Sequence, residues 1–333
     1  KNFPKNNLGD KLFSIIHFIK AYKRLPNSNQ KLLSNYLFEI KHSAEGYNPL
    51  RAYVSDKAFV KDYVRAKVGE DFNVPTIGVL NSFSDCCSFE FPDRCCIKPT
   101  HLSGIVILRK HGETIDFDAM QKWFQINYYE IGREKNYRYL QPKVIVEPLI
   151  FDSTNNEDYK FFCYKGKAKF IQIDVDRFTD WTRLYFDREW NEQDFSIIKP
   201  KSKKQFLKPA NFTKMLQVAD RLSSEFEFVR VDLYTDENDI FVGEITNWPE
   251  NGYNDTGWLQ LDAIGADSSI GKGGLVEWNM DFAAGADLSN LTMEIRVDGA
   301  NGLFIDEPLI YSDNNGQTLF DWGGQGTLGQ SNS

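Results

Sequence analysis

Apolar residues recur every three or four positions in some stretches of this chain and every second position in others, and the two rhythms predict different elements. Helical spacing runs through Lys11–Leu25, where Leu12, Ile15, Ile16, Phe18 and Ile19 share one side, up to a polar break at Pro26-Asn27-Ser28. It returns at Lys57–Val68, behind a Ser55-Asp56 cap, with Phe59, Val60, Tyr63, Val64 and Val68 on the apolar side. Residues 116–131 and Lys208–Phe226 predict two further helices. Strand-like runs occupy Val74–Leu80, then Cys95-Cys96-Ile97 and Ile105–Leu108 around the polar insert KPTHLSG, then Val144–Ile150. Tyr159–Tyr164 and Ala168–Val175 predict a hairpin turning at Lys165-Gly166-Lys167. A second hairpin pairs Phe228–Tyr234 with Ile240–Ile245 across the polar turn Thr235–Asp239. Strand pairs alternating with single helices predict an α+β core.

Composition adds limits. With 333 residues, 41% hydrophobic and 26% charged, the chain has the make-up of a globular protein with a sizeable core. No run reaches the ~18–20 apolar residues of a membrane span. No signal peptide opens the chain, and a cytoplasmic location is expected; neither a nucleic acid nor a membrane is an expected partner. The five cysteines include two adjacent pairs, Cys86-Cys87 and Cys95-Cys96, and no CxxC spacing, which points to reduced thiols.

Charge is unevenly spread. From Gly252 onward there are 2 basic against 12 acidic residues, and 14 of the 23 glycines fall there. Such a shift marks a boundary, so the expected division is a helical N-terminal region over 1–75, a core domain over 76–252 and an acidic glycine-rich module over 253–333. Short alternating runs in the last part, among them LTMEIRVDGANGLFIDEPLIYSD, predict a small all-β sandwich. GLFIDEPLIYSD faintly resembles the closing strand of carbohydrate-binding sandwiches, which makes the module a candidate glycan binder. Asp298 and Asp306 there are either Ca²⁺ ligands or solvated surface charge.

The chemistry-bearing positions lie earlier. Asp232 and Glu244 each sit in an apolar strand of the second hairpin. A carboxylate inside a strand costs several kcal/mol unless paired or metal-bound. Two on one face would share a cation such as Mg²⁺ or pair with Arg230; solvated strand ends are the plainer alternative. Lys98 ends a strand before a small polar loop with Thr100, His101, Ser103 and Gly104, a workable cradle for phosphates although no P-loop pattern is present. Glu147 ends the strand of PKVIVEPLIF, where it either accepts from an adenine amino group or is simply a strand-terminal acid.

The order Lys57, Lys98 with its loop, Glu147, then Asp232 and Glu244 on a hairpin resembles the ATP-grasp superfamily. Within it, SDKAFVKDYV, CIKPTHLSG, NYYEIGREKNY, DYKFFCYKGKAKFIQIDVDRFTDWTR and GEIT are similar to the TupA-like branch associated with teichuronopeptide biosynthesis, over about residues 20–252. The resemblance implies an ATP-grasp fold, two α+β subdomains clasping ATP. It implies an ATP- and Mg²⁺-dependent carboxylate–amine ligase of cell-surface polysaccharide or peptide-conjugate biosynthesis. Lys57 and Lys98 would contact the phosphates under the loop Thr100–Gly104; Glu147, Pro148, Leu149 and Ile150 would line the adenine slot. Asp232 and Glu244 would hold Mg²⁺, with Asn247 as a further candidate, since Thr246 stands where the superfamily often has asparagine. Arg230 would touch the transferring phosphate, Lys160 the nucleotide or acceptor, and Arg177 and Arg183 a carboxylate of an acidic polysaccharide, amino acid or peptide. Members of the branch have a loop close to His-Gly-Ser-Gly-Gly, whereas Leu102 and Ile105 here reduce backbone freedom. A sugar kinase on the same fold and a non-catalytic polysaccharide-binding protein with a degenerate ATP site are the alternatives.

Overall fold

Nine strands of the first of two compact units pair into two antiparallel sheets, and short helices fill the space around them. The computed structural model describes residues 3–30, 32–150, 158–176, 179–236, 238–252, 309–312 and 318–322. The first unit spans Lys1–Ile270 with Gly274–Val276. In the second, the described residues form one antiparallel pair, Leu309–Ser312 against Thr318–Trp322. The expected sandwich, with Asp298 and Asp306, otherwise lies outside the described residues.

Helix α1 (Asn7–Tyr22) starts four residues before its apolar pattern, because Asn6 caps it by accepting from the Gly9 amide, and it ends where Lys23 turns left-handed. Helix α2 (Leu33–His42) has no counterpart in the predicted elements; it carries Leu33, Leu37 and Ile40 into a buried cluster. The helix expected from Lys57 begins instead at Val60 as α4 (Val60–Lys67), preceded by α3 (Pro49–Ser55). The expected cap is shifted as well: Asp56 ends α3 and accepts from the amides of Ala58 and Phe59 in the turn between the helices, while α4 itself starts after Phe59 without a side-chain cap.

The smaller sheet contains β1 (Gly78–Leu80), β2 (Cys95–Pro99), β3 (Ile107–Arg109) and β4 (Val144–Pro148) in the order β1-β4-β2-β3. Leu80, Cys95, Ile97, Val144 and Val146 form one buried cluster with Cys86 of α5 (Phe83–Ser88) and with Met120 and Trp123 of α6 (Phe117–Trp123). The single helix expected over 116–131 is in fact two. The chain tightens at the end of α6, where Gln125 and Ile126 donate back three residues to Lys122 and Trp123, and extended Asn127 then leads into α7 (Tyr128–Gly132).

The larger sheet runs β7-β6-β5-β8-β9, with β5 (Asp158–Tyr164), β6 (Lys167–Val175), β7 (Thr182–Asp187), β8 (Phe228–Thr235) and β9 (Ile240–Thr246). Alternation assigns its two faces. Phe161, Ile171, Ile173, Leu184, Val229, Val231 and Leu233 pack with α8 (Phe212–Ser223) and with Val60 and Val64 of α4. On the other face, the half nearest Phe162, Phe170, Tyr185 and Phe228 is covered by α2. The remaining half is polar.

Arg51 of α3 joins these parts. Its guanidinium is fully buried, donates to the carbonyls of Glu45 and Phe228 and to the side chains of Asn247 and Glu45, and lies 4.7 Å from the Trp248 ring. Removing one partner of a buried charge network leaves the others unsatisfied. Arg51→Met is therefore expected to lower unfolding free energy by about 3 kcal/mol, read as the shift in urea midpoint.

Candidate active site

Register brings the acids together. In β8 and β9, Asp232 stands directly opposite Glu244, while its neighbour Leu233 stands opposite Val242. Gly243 is thus the extra residue of a bulge. Strict alternation would place Glu244 on the same face as Val242, toward the core. The bulge turns Glu244 and Thr246 onto the polar face instead, and leaves Ile245 buried. Glycine is required there for space: a Cβ would lie 2.4 Å from the Tyr234 ring.

Across β5, Lys160 stands opposite Asp232 on one side and Gln172 on the other. Its ammonium contacts Asp158 and lies 3.2 Å from Asp232 and 3.9 Å from Asp174. Arg230 grips Asp232 with two bonds of 2.7 Å and reaches Thr246 Oγ1 at 3.1 Å, and that hydroxyl donates to Glu244. Arg183 bonds Asp174 at 2.7 Å, and Tyr185 donates to Gln172, which donates to Asp174. Burial alone would push Asp232 toward protonation, but Arg230 and Lys160 outweigh it and hold its pKa below the usual carboxylate range. Burial likewise works against the Lys160 cation, and Asp232 and Asp158 reverse that, raising its pKa.

The second wall comes from α4 and the smaller sheet. Glu147 is clasped by Lys98 at 2.7 Å and Lys61 at 2.5 Å. Burial would raise the Glu147 pKa, yet the two lysines bring it below its ordinary value. Lys57, Lys61, Lys98 and Glu147 line a cleft together with Val60, Val64, Asn73, Val242 and Gly243, so the lysine wall borders the edge strand β9 next to Glu244, whose charge acts on Lys57 and Lys98. Burial lowers the Lys57 pKa, and Glu244 partly restores it. Lys57 gives its ammonium to the Leu102 carbonyl and its amide to the Thr100 carbonyl.

The loop after β2 is anchored at its base. Thr100 is fully buried with its hydroxyl 3.4 Å from Asp56, and Leu102 sits in the core of the smaller sheet. His101 is turned inward with Nε2 3.0 Å from the Trp123 carbonyl, and burial lowers its pKa, so it acts as a neutral donor within the fold. At the tip Ser103 is half-buried and only Gly104 is exposed, with φ +74 and free space around it. Leu102 thus replaces backbone freedom with a fixed anchor. Pro148, Leu149 and Ile150 continue from β4 at half-buried positions beside Glu147.

Asn247 is placed elsewhere. Its side chain accepts from Arg51 and donates to the Arg51 carbonyl and to Ser55, so the structure does not bring it to Asp232 and Glu244. Arg177 lies outside the described residues. Sequence reasoning passed over Lys61, Asp158, Asp174 and Glu134. Lys61, one helical turn beyond Lys57, and Asp174, in alternation with Ile171, Ile173 and Val175, carried a readable signal. Glu134 did not: burial raises it to about 7, against the pull of Lys41, only through contacts among segments far apart in sequence.

A family model described as TupA-like ATPgrasp matches residues 38–268. Similar solved structures include a D-alanine–D-alanine ligase from Helicobacter pylori, with 16% identity, a TM-score of 0.34, and 61% of this chain and 58% of that chain covered. Another is a D-alanine–D-alanine ligase from Bacillus anthracis complexed with ATP, with 16% identity, a TM-score of 0.32, and coverage of 59% and 54%. A third is the ATP-grasp ligase PsnB complexed with a minimal precursor, Mg and ADP, with 15% identity, a TM-score of 0.33, and coverage of 65% and 58%. The chain accordingly spans between half and three fifths of the length of these proteins. No curated protein matches it.

Two outcomes follow for the site itself. Gly243→Ala forces the Tyr234 ring aside, and is expected to cost about 1–3 kcal/mol of stability in urea titration. Glu147, whose folded pKa is depressed, contributes stability present above its unfolded value and lost as pH falls through its folded value. Glu147→Gln should therefore be less stable than the parent near neutrality. The gap should narrow as the pH falls through and below the ordinary carboxylate range, measured by urea unfolding at each pH.

Proposed function

Because the chain belongs to the TupA-like ATP-grasp family, we propose that it is an ATP-dependent ligase joining a carboxylate to an amine through an acyl phosphate. The observation that best supports this is a lysine-lined cleft bordering β9 at Val242 and Gly243, beside Glu244, which stands opposite Asp232. In this reading the triphosphate lies along Lys57 and Lys98 beneath Ser103 and Gly104, and the base enters the slot of Glu147, Pro148, Leu149 and Ile150. Lys98 and Lys61 then share Glu147 with the nucleotide.

Asp232 and Glu244 are the residues that would hold Mg²⁺. They suit it in type and place: two hard oxygen donors stand directly opposite each other across β8 and β9. An ion held by one or two carboxylates plus phosphates and water matches that donor set. Bound there, Mg²⁺ would supply charge neutralisation for the phosphates.

Arg230, held by Asp232, would hold the transferring phosphoryl group, and Lys160, on the adjoining strand, the nucleotide or acceptor. Arg183 recognises the substrate carboxylate, with Arg177 as a second candidate. A carboxylate oxygen attacks the γ-phosphorus and ADP leaves; the amine nitrogen then attacks the acyl carbon, loses its proton, and releases phosphate. The chain's part is positioning and electrostatic stabilisation. The substrate class is an amino acid, a peptide or an acidic polysaccharide, used in the cytoplasm for envelope conjugates.

Calorimetry with ATP tests this directly. Wild type is expected to bind ATP only with Mg²⁺, and the double variant Asp232→Asn/Glu244→Gln to lose that binding. Release of ADP should then require both an acid and an amine. Absence of binding by wild type at millimolar ATP would sink the proposal.

A further inference from the structure

Asp56 is completely buried, yet its two carboxylate oxygens serve three different parts of the site. Oδ1 accepts from the amides of Ala58 at 2.8 Å and Phe59 at 3.3 Å, which closes the turn of residues 57–59 that leads into the helix carrying Lys61. Oδ2 accepts from Lys143 Nζ at 2.9 Å and the Thr100 hydroxyl at 3.4 Å. The backbone closes the same ring: Lys57 donates to the Thr100 carbonyl at 3.2 Å, and Thr100 donates to the Lys143 carbonyl at 2.9 Å. Lys57 itself reaches on to the Leu102 carbonyl.

We infer that Asp56 is the positioning residue of the nucleotide site, fixing Lys57 and the base of the loop, residues 100–102, as one unit without touching the ligand. The inference rests on the nucleotide reading above. Closing that turn is the simpler role for such a residue, and one substitution separates the two. Asparagine closes such turns as well as aspartate, so Asp56→Asn keeps the Oδ1 bonds and removes the charge that holds Lys143. It also raises the net charge near Lys57 by one. A purely electrostatic role would then tighten Mg–ATP binding, whereas loss of positioning would weaken it.

The experiment pairs hydrogen exchange on the nucleotide-free protein with Mg–ATP calorimetry, for wild type and Asp56→Asn. Faster exchange confined to the amides of Lys57 and Thr100, with roughly tenfold weaker Mg–ATP binding, is the expected result. Unchanged exchange at those amides, or unchanged or tighter binding, would overturn it, as would exchange rising evenly through α8 and the larger sheet. Thr100→Val, which removes only the hydroxyl, should move both readouts the same way by less, and decides the matter if Asp56→Asn does not fold. Should wild type bind no Mg–ATP, the nucleotide reading falls, and local exchange alone decides whether Asp56 couples Lys57 to the loop.

Discussion

The two-pronged grip of Arg230 on Asp232 is the contact on which the polar half of the larger sheet depends. Four carboxylates, Asp158, Asp174, Asp232 and Glu244, share that face with three cations, Lys160, Arg183 and Arg230. Buried acids at this density would take up protons unless each had a fixed partner. Arg230 and Asp232 lie two residues apart on one strand, so their pairing costs little rearrangement and leaves Lys160 to serve the neighbouring strands. Glu244, opposite Asp232 at the strand edge, is tied to the same cation through the Thr246 hydroxyl, which bonds both Glu244 and Arg230.

That arrangement explains why the face is divided. Along β5 the outward side chains pass from Asp158 and Lys160 to Phe162, and along β8 from Asp232 and Arg230 to Phe228. The aromatic ends are covered by α2 and the charged ends are left for chemistry. One pleated surface therefore serves as core at one end and as site at the other. Arg51 holds the boundary by tying α3 to the Phe228 carbonyl and to Asn247.

Much of this was legible in the chain. Period-two alternation marks both hairpins, and the placement of Lys98, Glu147, Asp232 and Glu244 on strands agrees with the structure. What alternation could not reveal is the bulge. In Ile240-Phe241-Val242-Gly243-Glu244 the even positions read as one face, and only the cross-strand register shows Gly243 as the inserted residue. A bulge is set by what the partner strand presents, here the Tyr234 ring, which no local pattern encodes. Helix α2, by contrast, was legible and passed over: Leu33, Tyr36, Leu37 and Ile40 keep helical spacing, and all four pack in one cluster. The division of 116–131 into α6 and α7 depends on closing the last turn of α6, again a matter of backbone bonds rather than apolar spacing.

The loop after β2 carries the last step. A glycine-rich loop gains its fit by moving, and each residue it fixes on binding costs conformational entropy, roughly 1–2 kcal/mol. Here Leu102 and Thr100 are already fixed by burial, and His101 by Trp123, so that ordering cost is met on folding for these three residues, and Gly104 is the exposed one at the tip. The charges point the same way. Lys57, Lys61 and Lys98 face one acid, Glu147, and so leave that wall with a surplus of positive charge, while the sheet face beyond β9 has a surplus of negative charge. A polyphosphate suits the first wall and a divalent cation the second, and under the ligase reading a metal–nucleotide pair would cancel both at once. The two imbalances are meaningful only together, and β9, shared by both walls, is where they meet.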